Sequence, residues 1–253
     1  MSLSSWFQHL PETSHSEAAG DLRQSQLAAL ALKNVGMTSA VDTGDWTNIH
    51  PPDKQHPSSR LANQALTMIY GKTIAGSAFP MYGGSKMTSA AGKVTVTVSI
   101  TAGPGGKAMA LTDTPPLAAT QSTTLGKPGS IPRNKCITAG IKTGYPEDCG
   151  YPAILGAFAN GTKAQLNATA TIGADGSSLV LTATAPAGFT ATASAYGRAS
   201  WPTTIFFGKE GDNLPVIPWL ANFSTTDPWT PPAEFFSTDD DEIAQRSAAY
   251  AEL

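Results

Sequence analysis

The sequence is short of charge and has no long hydrophobic run. Only 14% of the 253 residues are charged, the formal net charge is −3, and the Lys and Arg residues are scattered rather than clustered. This pattern argues against a nucleic-acid-binding surface, which needs a basic patch. No apolar stretch reaches the roughly 20 residues that a membrane-spanning helix requires. We therefore expect a globular protein whose partners include neither nucleic acid nor a membrane.

Cysteine is also scarce. Cys136 and Cys149 stand alone in the segment "CITAGIKTGYPEDCGYP", and two cysteines without a nearby histidine cannot supply the four ligands of a zinc site. We predict no metal and no cofactor. A disulfide between them would contribute about 3 kcal/mol in the chain-entropy model; two separate buried thiols are the alternative.

Three N-x-[ST] sequons are candidate N-glycosylation sites and weakly favour a secretory route. They begin at Asn160, Asn167 and Asn222. The opening stretch "MSLSSWFQHLPETSHSE" has neither the basic nor the apolar region of a signal peptide. Two interpretations follow: a cytosolic chain, or a chain whose true N-terminus is missing.

The first seventy residues have the pattern of one α/β unit. "LRQSQLAALALKNVG" predicts a helix with Gly36 at its C-cap, and Met37–Val41 reads as a short strand. "SSRLANQALTMIYG" predicts a second helix that begins at Ser58 or Ser59 and ends at Gly71. Its predicted apolar stripe consists of Leu61, Ala65, Leu66 and Ile69. A single unit of this kind cannot form a sheet by itself, so we expect part of the "LAALAL" face to be exposed.

From residue 73 onward the hydrophobic period is that of β-strands. "KVTVTVSIT" (Lys93–Thr101) alternates strictly, and "AQLNATATI" and "SSLVLTATA" flank Asp175-Gly176, a favoured hairpin turn. We predict a β-sandwich or jelly-roll module over residues 73–230. Residues 231–253 form an acidic tail that ends in an Ala-rich stretch, predicted to be a short helix.

His50 is the histidine whose surroundings suggest chemistry. It lies in "DTGDWTNIHPPDKQHPSSRLANQAL" and precedes Pro51-Pro52, which stiffen the backbone. A neutral imidazole is the usual general base for a serine hydroxyl, and a carboxylate or carbonyl normally orients it. Asp42 and Asp45 are the nearest acids. A hydrogen-bonded histidine in a structural turn is the alternative.

The same stretch resembles the last catalytic block of the sialate O-acetylesterase family, within the SGNH (GDSL-like) carbohydrate esterases. The likeness rests on residues that match in order and spacing: Asp42, Gly44, Asp45, Ile49-His50-Pro51, Lys54-Gln55 and Arg60-Leu61-Ala62. The implied fold class is α/β plus all-β. Residues 1–72 would be the C-terminal part of an SGNH-type α/β hydrolase domain, followed by the jelly-roll-like β-sandwich.

The resemblance also implies roles for individual residues. His50 would be the general base, Asp45 would orient it, and Arg60 would bind the carboxylate of a sialic acid. For Arg60 a structural salt bridge or a solvated helix surface is the alternative, and for Asp45 an ordinary turn aspartate. The substrate would be an O-acetylated sugar, and the localisation secreted or lysosomal.

The family's nucleophile block is not found in this sequence. Gly-Asp never precedes a serine, no G-x-S-x-G elbow occurs, and Gly76-Ser77 and Gly84-Ser85 read as loop serines. We therefore expect the isolated chain to be inactive and to need a missing N-terminal catalytic segment as its partner. The alternative is a non-catalytic β-sandwich that binds a glycan or another protein. Its stacking platform would be Trp201, Trp219 and Trp229 with Tyr196, unless these residues belong to the core.

Overall fold

The computed structural model describes residues 18–32, 34–43, 54–103, 106–113, 152–198, 206–211 and 213–223. Its helices are α1 (Ala18–Leu27), the 3₁₀ helix η1 (Ala28–Ala31) and α2 (Gln55–Met68). Its strands are β1 (Pro80–Ala90), β2 (Lys93–Ala102), β3 (Leu111–Thr112), β4 (Ala153–Phe158), β5 (Lys163–Asn167), β6 (Thr169–Ile172), β7 (Ser178–Thr184), β8 (Phe189–Tyr196), β9 (Phe207–Gly208) and β10 (Trp219–Asn222). Within these ranges, every helix is too short or too polar to cross a bilayer.

The strands form two four-stranded antiparallel sheets and a small two-stranded one. Their orders are β1-β2-β7-β6, β10-β8-β4-β5 and β3-β9. The strict alternation in β2 has the expected consequence: Val94, Val96, Val98 and Ile100 are buried while the residues between them are not. The prediction of a strand there is confirmed, and so is the hairpin at Asp175-Gly176, which joins β6 to β7.

One hydrophobic core fills the space between the two larger sheets. Val96 and Leu181 come from the first sheet, Ile154 and Trp219 from the second, and each is less than 4% exposed. The described strands therefore form a β-sandwich inside the predicted range 73–230. The sheet orders β1-β2-β7-β6 and β10-β8-β4-β5 do not confirm the predicted jelly-roll connectivity.

The first predicted helix ends earlier than the sequence pattern suggested. α1 and η1 stop at Ala31, and Asn34 adopts a φ of 61° ahead of Gly36. Gly36 does not cap a helix; it is buried against α2. A side chain would not fit at this position, because a Cβ there would lie 2.6 Å from the Gln64 side-chain oxygen. The glycine is needed for close approach of α2, and the predicted C-cap role was wrong.

The second predicted helix begins earlier and buries a different face. α2 starts at Gln55, with Pro57 in its first turn, where a missing N–H costs nothing. Its buried residues are Pro57, Arg60, Leu61 and Gln64. Leu66 and Ile69 are exposed, so the predicted apolar stripe was correct only at Leu61.

The Met37–Val41 segment is extended but is not a strand. It pairs with no strand in the described ranges, and a turn closes at residues 41–43 with Thr43 N–H donating to the Ala40 carbonyl. A side chain takes the place of a neighbouring strand: Met37 N–H donates to Gln64 Oε1 at 2.9 Å, and Gln64 Nε2 donates to the Met37 carbonyl at 2.5 Å. The α/β-hydrolase fragment is accordingly not confirmed as a sheet.

The helical segment packs onto the sandwich through a second, smaller core. Leu27 and Met37 meet Phe79, Leu214 and Ile217 there. In the middle of α1, an Arg23 guanidinium N–H donates to the Gly197 carbonyl at 3.0 Å, and Leu220 N–H donates to Gln24 Oε1 at 3.2 Å. The helices are thus attached to the edge of the sandwich at two points. The predicted tail, residues 231–253, lies outside the described residues.

Candidate functional site

The structure describes residues on both sides of the histidine in the predicted catalytic block, but not the histidine itself. His50 and Asp45 fall within residues 44–53, outside the described residues. Thr43 is the last described residue before that stretch, and Lys54 is the first one after it. The roles predicted for His50 and Asp45 therefore stay predictions, and the site is built here from its flanks.

A buried ion pair joins those two flanks. Arg60 on α2 donates through NH1 to Asp42 Oδ1 at 2.9 Å and through NH2 to Asp42 Oδ2 at 2.6 Å. The side chains are 3% and 0% exposed. Two parallel charge-assisted bonds between a guanidinium and a carboxylate fix both distance and orientation. Asp42 lies two residues before the undescribed stretch 44–53, and the ion pair holds it to α2, the helix that follows that stretch.

Further contacts embed the Arg60 guanidinium in the protein. NH1 also donates to the Ser39 carbonyl at 2.7 Å, and the guanidinium carbon lies 5.9 Å from the centre of the Phe79 ring. The Arg60 side chain is 3% exposed, and both NH1 and NH2 already donate to acceptors within the protein, so neither terminal nitrogen is presented to a sugar carboxylate. The described contacts therefore favour the structural salt bridge over the substrate-binding role predicted for Arg60.

The ion pair has a clear geometric consequence for the block. Breaking it would leave a buried charge without its counter-ion, which is far more costly than losing a surface pair. Asp42 and Arg60 are therefore strongly held together, so the described residues on the two sides of residues 44–53 are fixed relative to each other. The pair itself performs no chemistry.

The serines of Gly76-Ser77 and Gly84-Ser85 do not have the surroundings of a nucleophile. Ser77 lies in a turn, where its N–H donates to the Ile74 carbonyl at 3.3 Å. Ser85 lies within β1, not in the loop that was predicted, and its Oγ is 2.8 Å from the Tyr82 hydroxyl. Burial raises the pKa of Tyr82, although the Ser85 hydrogen bond opposes the shift. A phenol that holds its proton more firmly than usual is a poor base for that serine.

The two described members of the predicted aromatic platform, Trp219 and Tyr196, are part of the core. Trp219 is 3% exposed and Tyr196 is fully buried, with ring centres 5.0 Å apart. Trp219 Nε1 donates to Ser194 Oγ at 3.2 Å, which satisfies its only polar group. Neither ring can stack on a sugar. Trp201 and Trp229 lie outside the described residues.

The three sequon asparagines share one sheet and are all exposed. Asn160 lies in the β4–β5 turn, where its Oδ1 accepts from Thr162 N–H at 3.0 Å, while Asn167 and Asn222 end β5 and β10. Their positions are compatible with the predicted glycosylation, which stays a prediction. Cys136 and Cys149 lie outside the described residues, and so does the predicted disulfide.

Two depressions mark the surface of the described structure. A cavity of about 220 Å³ lies between η1, α2 and the start of β1, and its walls include Leu30, Met37 and Met68. A more open depression of about 560 Å³ lies on the second sheet, with Leu155 and Ala193 among its lining residues and Asn222 at the rim. Aromatic side chains are absent from the described lining of the larger depression.

Comparison with known proteins gives an informative likeness among solved structures. No protein-family model matches the sequence, and a search of the curated proteins finds no significant match. Among solved structures, the chain is similar to a carbohydrate acetylesterase from Xanthomonas citri, with a TM-score of 0.55 and 22% sequence identity. The likeness covers 90% of this chain but only 41% of the esterase chain. This chain therefore has the fold of part of that esterase and spans less than half its length.

Proposed function

We propose that this chain is part of a carbohydrate O-acetylesterase, similar to the sialate O-acetylesterases, to which it contributes the general base His50. The observation that carries the proposal is the fold shared with a carbohydrate acetylesterase over 90% of the chain. The order and spacing of the histidine block support it independently of the fold. The ion pair between Asp42 and Arg60 fixes the described residues on the two sides of the histidine block relative to each other.

In the proposed reaction the His50 imidazole takes the proton of a serine hydroxyl as the oxygen attacks the acetyl carbonyl. The imidazolium then gives that proton to the departing sugar oxygen, leaving an acetyl-serine. A water molecule, deprotonated by the same imidazole, attacks the acetyl group and releases acetate and the free serine. Asp45 would orient the imidazole through a hydrogen bond.

The serine and the oxyanion hole would come from a partner segment, because the sequence lacks their motifs. Loss of one oxyanion-hole donor alone costs roughly 10²–10³ in rate. We therefore propose that the isolated chain releases no acetate above background. The proposed substrate is an O-acetylated sugar, with sialic acid as the first candidate. The proposed location of the protein is secreted or lysosomal.

The test has two parts, both measuring acetate release from O-acetylated sialic acid and from p-nitrophenyl acetate. First, the 253-residue chain is compared with its His50→Ala variant, and neither is expected to turn over. Second, the chain replaces its matched 41% in the Xanthomonas citri esterase, with and without His50→Ala. We expect the hybrid to be active and to lose about 10²–10⁴-fold in rate without the imidazole.

Each part has an outcome that contradicts the proposal. Turnover by the isolated chain that depends on His50 would mean that a serine within these residues is the nucleophile. The general-base role of His50 would be contradicted if circular dichroism showed that both hybrids are folded and they were equally active with and without His50. Ser85→Ala in the isolated chain serves as a matched control for adventitious serine reactivity.

A further inference from the structure

Two features of the backbone shape the depression of about 560 Å³ on the second sheet. The pairing of β4 with β8 changes register between Leu155 and Gly156, which leaves Thr192 of β8 without an opposite residue, and a bulge of this kind bends a strand. Gly156 allows the two strands to approach closely, because a Cβ at that position would collide with the Thr190 carbonyl oxygen. The volume falls within the range of small-molecule sites, about 300–1,000 Å³.

Four polar side chains line this depression and are available to a ligand. They are the ammonium group of Lys163, the amides of Gln165 and Asn222, and the hydroxyl of Thr192. All four residues are exposed, and within the described ranges their side chains take part in no hydrogen bond or ion pair. A concave surface with a few convergent polar groups is the usual form of a ligand site.

The lining is unlike a surface that another protein segment covers. The centres of protein–protein interfaces are enriched in aromatic residues, methionine and arginine, and they are depleted in lysine and alanine. The described lining has the opposite composition. It contains no aromatic residue, methionine or arginine, and it includes Lys163 and the alanines at positions 157, 164 and 193. A small polar ligand fits this surface better than a second polypeptide does.

The chemistry of the four side chains indicates the class of ligand. Primary amides and hydroxyls both donate and accept hydrogen bonds, so Gln165, Asn222 and Thr192 suit a molecule with many hydroxyl groups. Lys163 is the only charged residue in the described lining, and no carboxylate there competes for its ammonium group. A charge-assisted hydrogen bond from an ammonium group favours a ligand that carries a carboxylate.

We propose that this depression is a binding site for an acidic sugar, with the sugar carboxylate on Lys163 and the sugar hydroxyls on Gln165, Thr192 and Asn222. The choice of a sugar rests on the proposed function of the chain, whereas the depression and its single cation do not. The site contributes binding, and no step of ester hydrolysis is assigned to it.

The experiment is an NMR titration of the isotope-labelled full chain with the methyl glycoside of N-acetylneuraminic acid, which has a carboxylate but no acetyl ester. Production in bacteria leaves Asn222, which begins a sequon, unmodified. We expect a dissociation constant of about 1 mM, because a few exposed hydrogen bonds supply little affinity. The methyl ester of the same sugar lacks the charge and should bind about tenfold more weakly.

Two variants and one control test the residues. Lys163→Met should weaken binding of the acid to the level of the ester and leave binding of the ester unchanged. Ala157→Leu should abolish binding of both sugars, because Ala157 pairs with Lys163 and a larger side chain there fills the depression; circular dichroism checks its folding. Lys86→Met, which alters an exposed lysine on β1 of the other sheet, should leave both affinities unchanged.

Three results would overturn the proposal. The first is the absence of saturable shifts at about 20 mM sugar, where a site of this affinity would be nearly full. The second is equal affinity of the wild type and Lys163→Met for the acid. The third is binding that survives in folded Ala157→Leu but is lost in His50→Ala, which would place the sugar at the histidine block. Because binding is measured without turnover, a failed test of acetate release leaves this result unaffected.

Discussion

Replacing Asp42 with asparagine should destabilise the protein far more than a single surface-charge change would. The variant keeps the size of the side chain but leaves the Arg60 guanidinium, 3% exposed, without its counter-ion. Removing one partner of a buried ion pair typically costs about 3–5 kcal/mol, against about 0–1 kcal/mol for an exposed pair. Arg60→Met should cost a similar amount, because it removes the guanidinium that donates to both oxygens of the buried Asp42 carboxylate.

The double variant Asp42→Asn/Arg60→Met shows whether the two losses of stability come from the same ion pair. In that variant both charges are gone, so no buried charge is left without its counter-ion. The loss in Asp42→Asn/Arg60→Met should therefore fall short of the sum of the single losses by about 2–3 kcal/mol. In a protein of this size each kcal/mol lowers the melting temperature by about 2–4 °C. A single variant that loses 3 kcal/mol would then melt about 6–12 °C lower.

The assay is urea unfolding, followed by intrinsic tryptophan fluorescence and by far-ultraviolet circular dichroism. Of the five tryptophans in the chain, the buried Trp219 reports on the sandwich, and the dichroism also reports on α2. Lys72→Met, an exposed cation just after α2, is the control and should change stability by less than about 0.5 kcal/mol. Single variants that each cost less than 1 kcal/mol, or losses that simply add, would refute the reasoning that the pair is buried and coupled.

Two further predictions concern other polar contacts. Gln64→Leu should cost about 1–3 kcal/mol in urea unfolding, because it leaves the N–H and C=O of Met37 without the partner each now has; Asn63→Leu on the same helix is its control, and equal losses would contradict this. Asp175 should titrate below its ordinary pKa of 3.8 by NMR, since its carboxylate accepts from Ser177 N–H and from the Ser178 hydroxyl and N–H. Its folded pKa is the lower one, so the stabilisation is complete above the unfolded value and is lost as the pH falls through the folded value. An unshifted carboxyl would contradict the hydrogen bonds.

The sandwich could be predicted from the sequence because its signals are local. In β2 every second residue is apolar, and the pleat alone sends Val94, Val96 and Val98 to one side. The Asp175-Gly176 turn sets β6 against β7 within a few residues. Which strands meet across the core could not be predicted, because Ile154 and Leu181 are brought together by contacts that a short window does not contain.

The helical segment was predicted less well, for a physical reason. An apolar stripe is the usual sign of a buried helix face. In α2 that face includes Arg60 and Gln64, whose partners Asp42 and Met37 lie 18 and 27 residues earlier in the chain. From the sequence alone, a polar side chain is predicted to be exposed unless its hydrogen-bond or ion-pair partner is known. The same reasoning explains why Leu66 and Ile69, assigned to the core, are exposed.

This difference changes how the family likeness should be weighed. Asp42 and Arg60 are among the residues on which the resemblance to the sialate O-acetylesterase block depends, and in the structure they form a buried ion pair. This part of the motif therefore stabilises the fold, and a protein could keep it with no catalytic activity. His50 lies outside the described residues, and its catalytic role stays a prediction. Asp42→Asn tests the structural half of the motif through stability, and His50→Ala tests the catalytic half through acetate release. A stable His50→Ala hybrid without activity would separate the two.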